Sequence, residues 1–318
     1  MSDELEARLL GGPRRYSRAQ AAASAAVDPE FSRRLWRALG FADVADGEVA
    51  FTDADLEALG RLMGLVEGGM LDEELAVSVT RAMGHNIARL AEWQAEAFTE
   101  HLVRTRGMSP EQAARAAVDV AEEHLVELQA LLVYVWHRQL AAVAARAGAA
   151  DSYADHGVRS VGFADLVSYT RLSQKLEERE LASLVDRFGR RSADVIAAAG
   201  GRLVKTVGDE VLFVADSPEA AATIGLELAE TMAEDPVLPD VRVGVATGTV
   251  ITRMGDVFGR TVNLASRLTA LAAPGTVLVD DETAKALAGN AKFALEGART
   301  RAVRGIGLVR PGVVRRTG

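Results

Sequence analysis

The stretch Val161-Gly162-Phe163-Ala164-Asp165-Leu166-Val167-Ser168-Tyr169-Thr170 reads as an apolar β-strand that ends in a carboxylate and passes at once into a helix. A carboxylate at a strand end is placed to hold Mg²⁺, and amides that open a helix are placed to bind phosphate. Asp165 is therefore a candidate metal ligand, and Leu166, Tyr169 and Thr170 are candidate phosphate contacts. Read alone, an aspartate at such a position is more often just a helix N-cap. Working outward, short β-rich runs alternate with helical patterns. Strands are predicted at 158–164, 202–207, 211–215, 241–246 and 276–279, and helices near 172–199, 218–233 and 262–272. That alternation predicts an α+β or α/β domain on one central sheet.

Two more stretches in this half carry chemistry. In Lys205-Thr206-Val207-Gly208-Asp209-Glu210-Val211-Leu212-Phe213 a Gly-Asp pair between two apolar runs predicts a tight hairpin turn. If Asp209 stands beside Asp165 on a neighbouring strand, two carboxylates converge, as in sites that clamp two metal ions about 3.5–4 Å apart. In Gly255-Asp256-Val257-Phe258-Gly259-Arg260-Thr261-Val262-Asn263-Leu264-Ala265-Ser266-Arg267-Leu268, Asn263 and Arg267 lie four apart and share a helix face. An amide and a guanidinium presented together suit negative charge developing on phosphate. A solvated polar face is the plain alternative.

The first half has a different texture. A chain of 318 residues predicts two domains, divided here at 1–150 and 151–318. Residues 1 to about 108 read as short helices joined by glycine-bearing turns, with Thr52 as an N-cap. Ser109-Pro110-Glu111-Gln112 is a strong helix start, and the segment to about Ala147 holds no breaker. It predicts either one rod of about 55 Å or two helices meeting at a bend. Its apolar face needs a partner, in the domain core or in a second copy. A linker is expected at 148–157.

Composition excludes several classes. With no cysteine there is no disulfide, thiol catalysis or Cys-based metal site. Residues 1–150 carry 15 Arg against 23 acids and residues 151–318 carry 21 Lys+Arg against 22, so neither half is a basic nucleic-acid binder. Residues 16–41 look somewhat like a helix-turn-helix, but residues 1–40 hold only 7 Arg against 5 acids, and nucleic acid is not an expected partner. The longest nearly apolar run, Leu128 to Trp136, falls short of the roughly 20 residues that span a bilayer. The acidic start is not a signal peptide, so the expected location is cytoplasmic.

Taken together, Phe163-Ala164-Asp165 at a strand end, Lys205 four before Asp209, and Asp256, Asn263 and Arg267 at separations of seven and four resemble the catalytic domain of class III nucleotidyl cyclases. The resemblance covers about residues 158–315. It implies an α+β, ferredoxin-like or palm-type catalytic domain, preceded here by an all-helical one. It also implies that Asp165 and Asp209 hold two Mg²⁺ or Mn²⁺ ions, that Lys205 and Asp256 read the adenine edge, that Asn263 orients the ribose and that Arg267 stabilises the pentavalent phosphorus. A donor and an acceptor at 205 and 256 favour ATP, whereas guanylyl cyclases of the family place a glutamate and a small polar residue there. The product would be cyclic AMP. The family builds its sites between two catalytic domains, and because one chain holds all six residues a homodimer suffices. Arg304 is the expected triphosphate contact, at a place where a lysine is usual.

The runner-up is a catalytically silent nucleotide-binding or DNA-linked sensor on the same fold, but none of the six positions is missing. A diguanylate cyclase is excluded because Val207-Gly208-Asp209-Glu210 lacks that family's double glycine. The helical half resembles the N-terminal regulatory domain of some actinobacterial adenylyl cyclases, including mycobacterial pH-responsive ones. All five histidines, His85, His101, His124, His137 and His156, fall in the helical half or the linker. They are the side chains that titrate near pH 6.5, and they are candidate regulatory residues. A small hydrophobic effector on the helical bundle is the other regulator considered.

Overall fold

The structure, a computed structural model, describes residues 2–149, 156–253, 255–297, 299–303 and 305–317. The chain forms two compact units, residues 1–150 and 151–318. Most of the expected linker, and Arg304, lie outside the described residues.

The first unit contains α1 (Ser2–Leu9), β1 (Tyr16–Ser17), α2 (Arg18–Ser24), α3 (Pro29–Leu39), β2 (Val49–Phe51), α4 (Asp53–Glu67), α5 (Glu73–Arg106), α6 (Pro110–Glu123) and α7 (Leu125–Ala149). It differs from the all-helical expectation by the β1–β2 ribbon. It also differs from the expected short helices by α5, whose 34 residues run on until Gly107 takes a left-handed conformation. Thr52 and Ser109 each close a capping box, with Asp55 and Gln112. The segment after Ser109 is two helices: His124 leaves helical geometry at φ −110°, ψ 19° and separates α6 from α7. Phe31, Leu35, Leu59 and Val77 form the core beside α3, α4 and α5. The arginines of α3 are engaged within the unit, Arg33 and Arg37 with Asp46 and Asp43 and Arg34 with Glu74. That leaves the segment that looked like a helix-turn-helix with neutralised cations.

The second unit contains β3 (His156–Leu166), α8 (Tyr169–Ser173), α9 (Glu178–Ala198), β4 (Arg202–Val207), β5 (Glu210–Ala215), α10 (Pro218–Ala233), β6 (Val241–Arg253), β7 (Asp256–Phe258), α11 (Arg260–Leu271), β8 (Val277–Val279), α12 (Asp281–Leu287), β9 (Phe293–Gly297), β10 (Arg301–Val303), β11 (Gly307–Val309) and β12 (Gly312–Arg316). One mixed sheet runs in the order β4-β5-β3-β6-β8-β12-β9, with β7 added on β6 and only β6–β8 parallel. The predicted helix 172–199 is two, because residues 174–177 turn between α8 and α9. His156 opens β3 instead of lying in a linker.

Alternation along the strands sends side chains to two cores. Ala164, Leu166, Val211, Phe213, Val243 and Val245 face α9 and α10. Val161, Phe163 and Leu212 pack on the other side, against Leu268 of α11. α11 lies unusually close to the sheet. A Cβ on Gly244 would fall 2.5 Å from the Ala265 carbonyl oxygen and closer still to the Thr269 amide nitrogen. The helix is held by Thr261 and Thr269, whose hydroxyls donate to the Thr249 and Phe163 carbonyls. No helix among the described residues is long and apolar enough to cross a membrane.

Candidate active site

Asp165 is the penultimate residue of β3 and is 8% exposed. Across the sheet it stands opposite Glu210 of β5 and Arg242 of β6. Asp209 occupies the two-residue turn between β4 and β5, where Gly208 takes the positive φ such a turn demands. The Leu166 amide donates to the Asp209 carbonyl at 3.0 Å, tying the turn to the end of β3 and setting the two aspartates side by side. That bond is a difference from expectation: the Leu166 amide is committed, and its side chain is buried among α9 and α10. The amides of Tyr169 and Thr170 do open α8, as expected, and have no intrahelical acceptor.

The electrostatics follow from the crowding. Burial, with the Asp165 charge beside it, pushes the Asp209 carboxyl above its ordinary range. Burial between the same two aspartates pushes Glu210 up to about 7. Arg242 answers the charge, its Nε donating to Asp165 Oδ2 at 2.6 Å. Sequence reading missed Arg242. Its signal was there, a lone arginine in the buried apolar strand Val241-Arg242-Val243-Gly244-Val245.

A second cluster joins β4 to β7. Lys205 Nζ donates to Asp256 Oδ2 at 2.6 Å, although 51 residues separate them. Burial raises the Asp256 carboxyl, but Lys205 and the Val257 amide, 2.8 Å from Oδ1, outweigh it and hold the group below its usual range. A half-buried ammonium and carboxylate thus present one donor and one acceptor together.

Asn263 and Arg267 lie on α11 and are exposed, the buried side of that helix being Thr261, Ala265, Leu268 and Thr269. Among the described residues neither bonds to Asp165 or Asp209. The structure therefore brings together Asp165 with Asp209 and Lys205 with Asp256, and leaves the Asn263/Arg267 pair facing outward. Of the histidines, His85, His101, His124 and His137 are exposed. No group of three or more potential metal ligands stands together among the described residues, so metal held by Asp165 and Asp209 would need other donors. The donor set, two adjacent carboxylate-bearing residues whose mutual repulsion one cation only partly relieves, fits a hard divalent ion completed by phosphate and water oxygens.

Residues 153–313 match the family described as "Adenylate and Guanylate cyclase catalytic domain". A protein of Streptomyces coelicolor named "Adenylate cyclase" is 48% identical over 98% of this chain and 89% of its own length. Another of that name from Glutamicibacter nicotianae is 44% identical over 96% and 80%. A "pH-sensitive adenylate cyclase" of Mycobacterium tuberculosis is 33% identical over 82% and 67%. Among solved structures, an adenylyl cyclase of P. aeruginosa aligns with a TM-score of 0.45 at 23% identity, over 51% of this chain and 97% of that one.

Proposed function

The chain belongs to the adenylate and guanylate cyclase family, and from that membership we propose that it is an adenylate cyclase, forming 3′,5′-cyclic AMP and pyrophosphate from ATP. The observation that carries the choice of base is the Lys205–Asp256 pair. Adenine offers a ring nitrogen that accepts and an exocyclic amine that donates, and the pair offers the matching donor and acceptor.

Asp165 and Asp209 would hold two Mg²⁺ or Mn²⁺ ions per site, which, when bound, supply Lewis-acid polarisation of the phosphate and acidify the ribose 3′-hydroxyl. The 3′-oxygen attacks the α-phosphorus, its proton passes to solvent, and the bond to the β-phosphate oxygen breaks with pyrophosphate leaving. Asn263 orients the ribose, and Arg267 takes the negative charge that grows at phosphorus. Tyr169 and Thr170 offer their amides to phosphate. Arg242, released from Asp165 once the carboxylate is otherwise engaged, is the nearby guanidinium for the triphosphate. Arg304 is retained as a triphosphate contact from the resemblance.

The outward-facing Asn263/Arg267 pair supports a homodimer with shared sites, in which one copy contributes Asp165 and Asp209 and the other contributes Lys205, Asp256, Asn263 and Arg267. We assign residues 1–150 a regulatory role. The mycobacterial pH-sensitive relative aligns over more than the catalytic half, and the unit holds a cavity of about 360 Å³ among Ile87, Leu90, Phe98, Leu125, Leu128 and Leu132, suited to an apolar effector. Protonation of the histidines is the proposed pH input. Asn at all five positions is expected to flatten the activity-against-pH curve between 5.5 and 8, and an unmoved curve removes them as sensors.

The decisive assay is cyclic AMP formation by the full chain with Mg²⁺ or Mn²⁺, beside Asp209→Ala. Activity that Asp209→Ala abolishes supports the enzyme. Nucleotide binding without turnover under all conditions leaves the silent sensor instead.

A further inference from the structure

Asp256 stands on a weak arm of the sheet. β7 is three residues long and, among the described residues, pairs only with β6, through Ile251, Thr252 and Arg253. The chain reverses just before Asp256, at Gly255, whose φ is 80°. A ribbon that short is marginal by itself, so the place of its tip depends on what else holds it. The other hold comes from β4. In sheet order β5, β3 and β6 separate β4 from β7, and among the described residues no backbone ladder joins the two strands. Side chains join them instead. Lys205 reaches Asp256, and Arg202 Nη1 donates to the Gly255 carbonyl at 3.2 Å, 53 residues away in sequence. Residues three apart on a regular strand face opposite ways. Here they do not, because the register slips between Leu203 and Lys205: Arg202 stands opposite Val214 and Lys205 opposite Leu212. Val214 and Leu212 are two apart and share the core under α11. The β-bulge at Val204 thus turns both cations of β4 to one face.

We propose that Arg202 is a positioning residue for base selection: by holding the Gly255 carbonyl, its guanidinium fixes the tip of the β6–β7 hairpin so that Asp256 accepts from the exocyclic amine while Lys205 donates to the ring nitrogen. The proposal rests on the reading of Lys205 and Asp256 as the base-reading pair. Lys205 alone does not fix that geometry. An ammonium on a flexible four-carbon stem follows a carboxylate through a range of positions, whereas a planar guanidinium on a carbonyl sets direction. The carboxylate itself shows why direction matters. Oδ1 accepts from the Val257 amide and Oδ2 from Lys205, which leaves one lone pair on each oxygen for a base. Where those lone pairs point follows from the backbone at residues 255 and 256, which is the part that Arg202 grips. Burial raises the Asp256 carboxyl, Lys205 and the Val257 amide lower it, and the Arg202 charge adds to the lowering, so the group stays ionised and acts as an acceptor only.

Purine riboside 5′-triphosphate separates this role from general damage, since it keeps the ring nitrogen that Lys205 meets and lacks the amine that Asp256 meets. In the full chain, Arg202→Met is expected to lower kcat/KM for ATP about tenfold, mainly through KM, and to leave the analogue within about twofold, so that the preference for ATP collapses. Arg202→Lys keeps a donor and is expected to restore part of the preference. Added to Asp256→Ala, Arg202→Met should change the ratio of the two substrates no further, because both act through one contact. Equal losses on ATP and the analogue overturn the proposal and make Arg202 a brace for the fold. An unmoved ratio in Arg202→Met, beside an Asp256→Ala chain that has lost its preference for ATP, also overturns it and leaves the base-reading pair standing. An Asp256→Ala chain that still prefers ATP removes the pair and this inference with it. Where a variant does not turn over, the same ratio is read from binding of the 3′-deoxy forms of both nucleotides, which cannot cyclise.

Discussion

Ser168 has φ 64° and ψ 20°, a left-handed conformation that a residue with a Cβ holds only at a cost of about 1–2 kcal/mol. It sits three residues after Asp165, where the chain must leave β3 and open α8 in a single step. Ser168→Gly is expected to raise the urea midpoint by the equivalent of about 0.5–1 kcal/mol, and Ser168→Val to lower it by more. Asp235 supplies the acid end of the stability curve. Burial raises its carboxyl, but the Arg187 guanidinium, 2.8 Å away, and the Val237 and Leu238 amides prevail and hold it below the ordinary range. A depressed pKa contributes stability above the unfolded value, near 4, and loses it as pH falls through the folded one. Asp235→Asn should therefore lower stability at pH 7 and flatten its decline between about pH 5 and 3, as read by urea midpoints. At the base-reading pair, Lys205→Glu with Asp256→Ser is expected to cut kcat/KM for ATP more than tenfold and bring GTP above it. Unchanged preference would remove the pair from substrate selection.

At the scale of elements, the seat of α11 depends on one missing side chain. Gly244→Ala forces the helix that carries Asn263 and Arg267 away from β6, and is expected to cost about 1–3 kcal/mol and to depress kcat more than KM. Steady-state kinetics beside thermal melts would check this, and an unaltered kcat would mean the helix position is unimportant. Legibility in the sequence was itself uneven across elements. α10 could be read end to end, because Ser217-Pro218 caps it and its apolar face is wide. Asp165 and Asp209 could each be read as candidates from a strand end and a tight turn, which are local, whereas the pairing of Lys205 with Asp256, 51 residues apart, came only from the family resemblance. The break between α8 and α9 was not, because residues 174–177 hold neither glycine nor proline. β7 and β9 to β12 escaped because three- to five-residue strands take their identity from distant partners, as β12 does from β8 and β9. Arg242 escaped for a related reason: only the register of β6 on β3 puts it against Asp165.

For the whole molecule, the separation of acid pair and Asn/Arg pair makes a quantitative prediction. Mixing Asp209→Ala chains with Arg267→Ala chains at equal concentration makes half of all dimers hybrid, and each hybrid has one intact site and one doubly defective. About a quarter of wild-type activity should return. Activity no greater than that of either parent alone would place the reaction within one chain. The two units also differ in how they come into being. Helices α5 to α7 rely on contacts close in sequence, whereas β3 pairs only with β5 and lacks its other neighbour until β6, about a hundred residues after α7, has been made. At roughly 5–20 residues per second, a growing chain displays the exposed apolar residues of α7 to neighbouring polysomes for several seconds before the catalytic sheet is complete. Subunits translated from one messenger would thus meet first, so that two alleles expressed together in one cell yield fewer hybrid enzymes than mixing of finished chains in a tube.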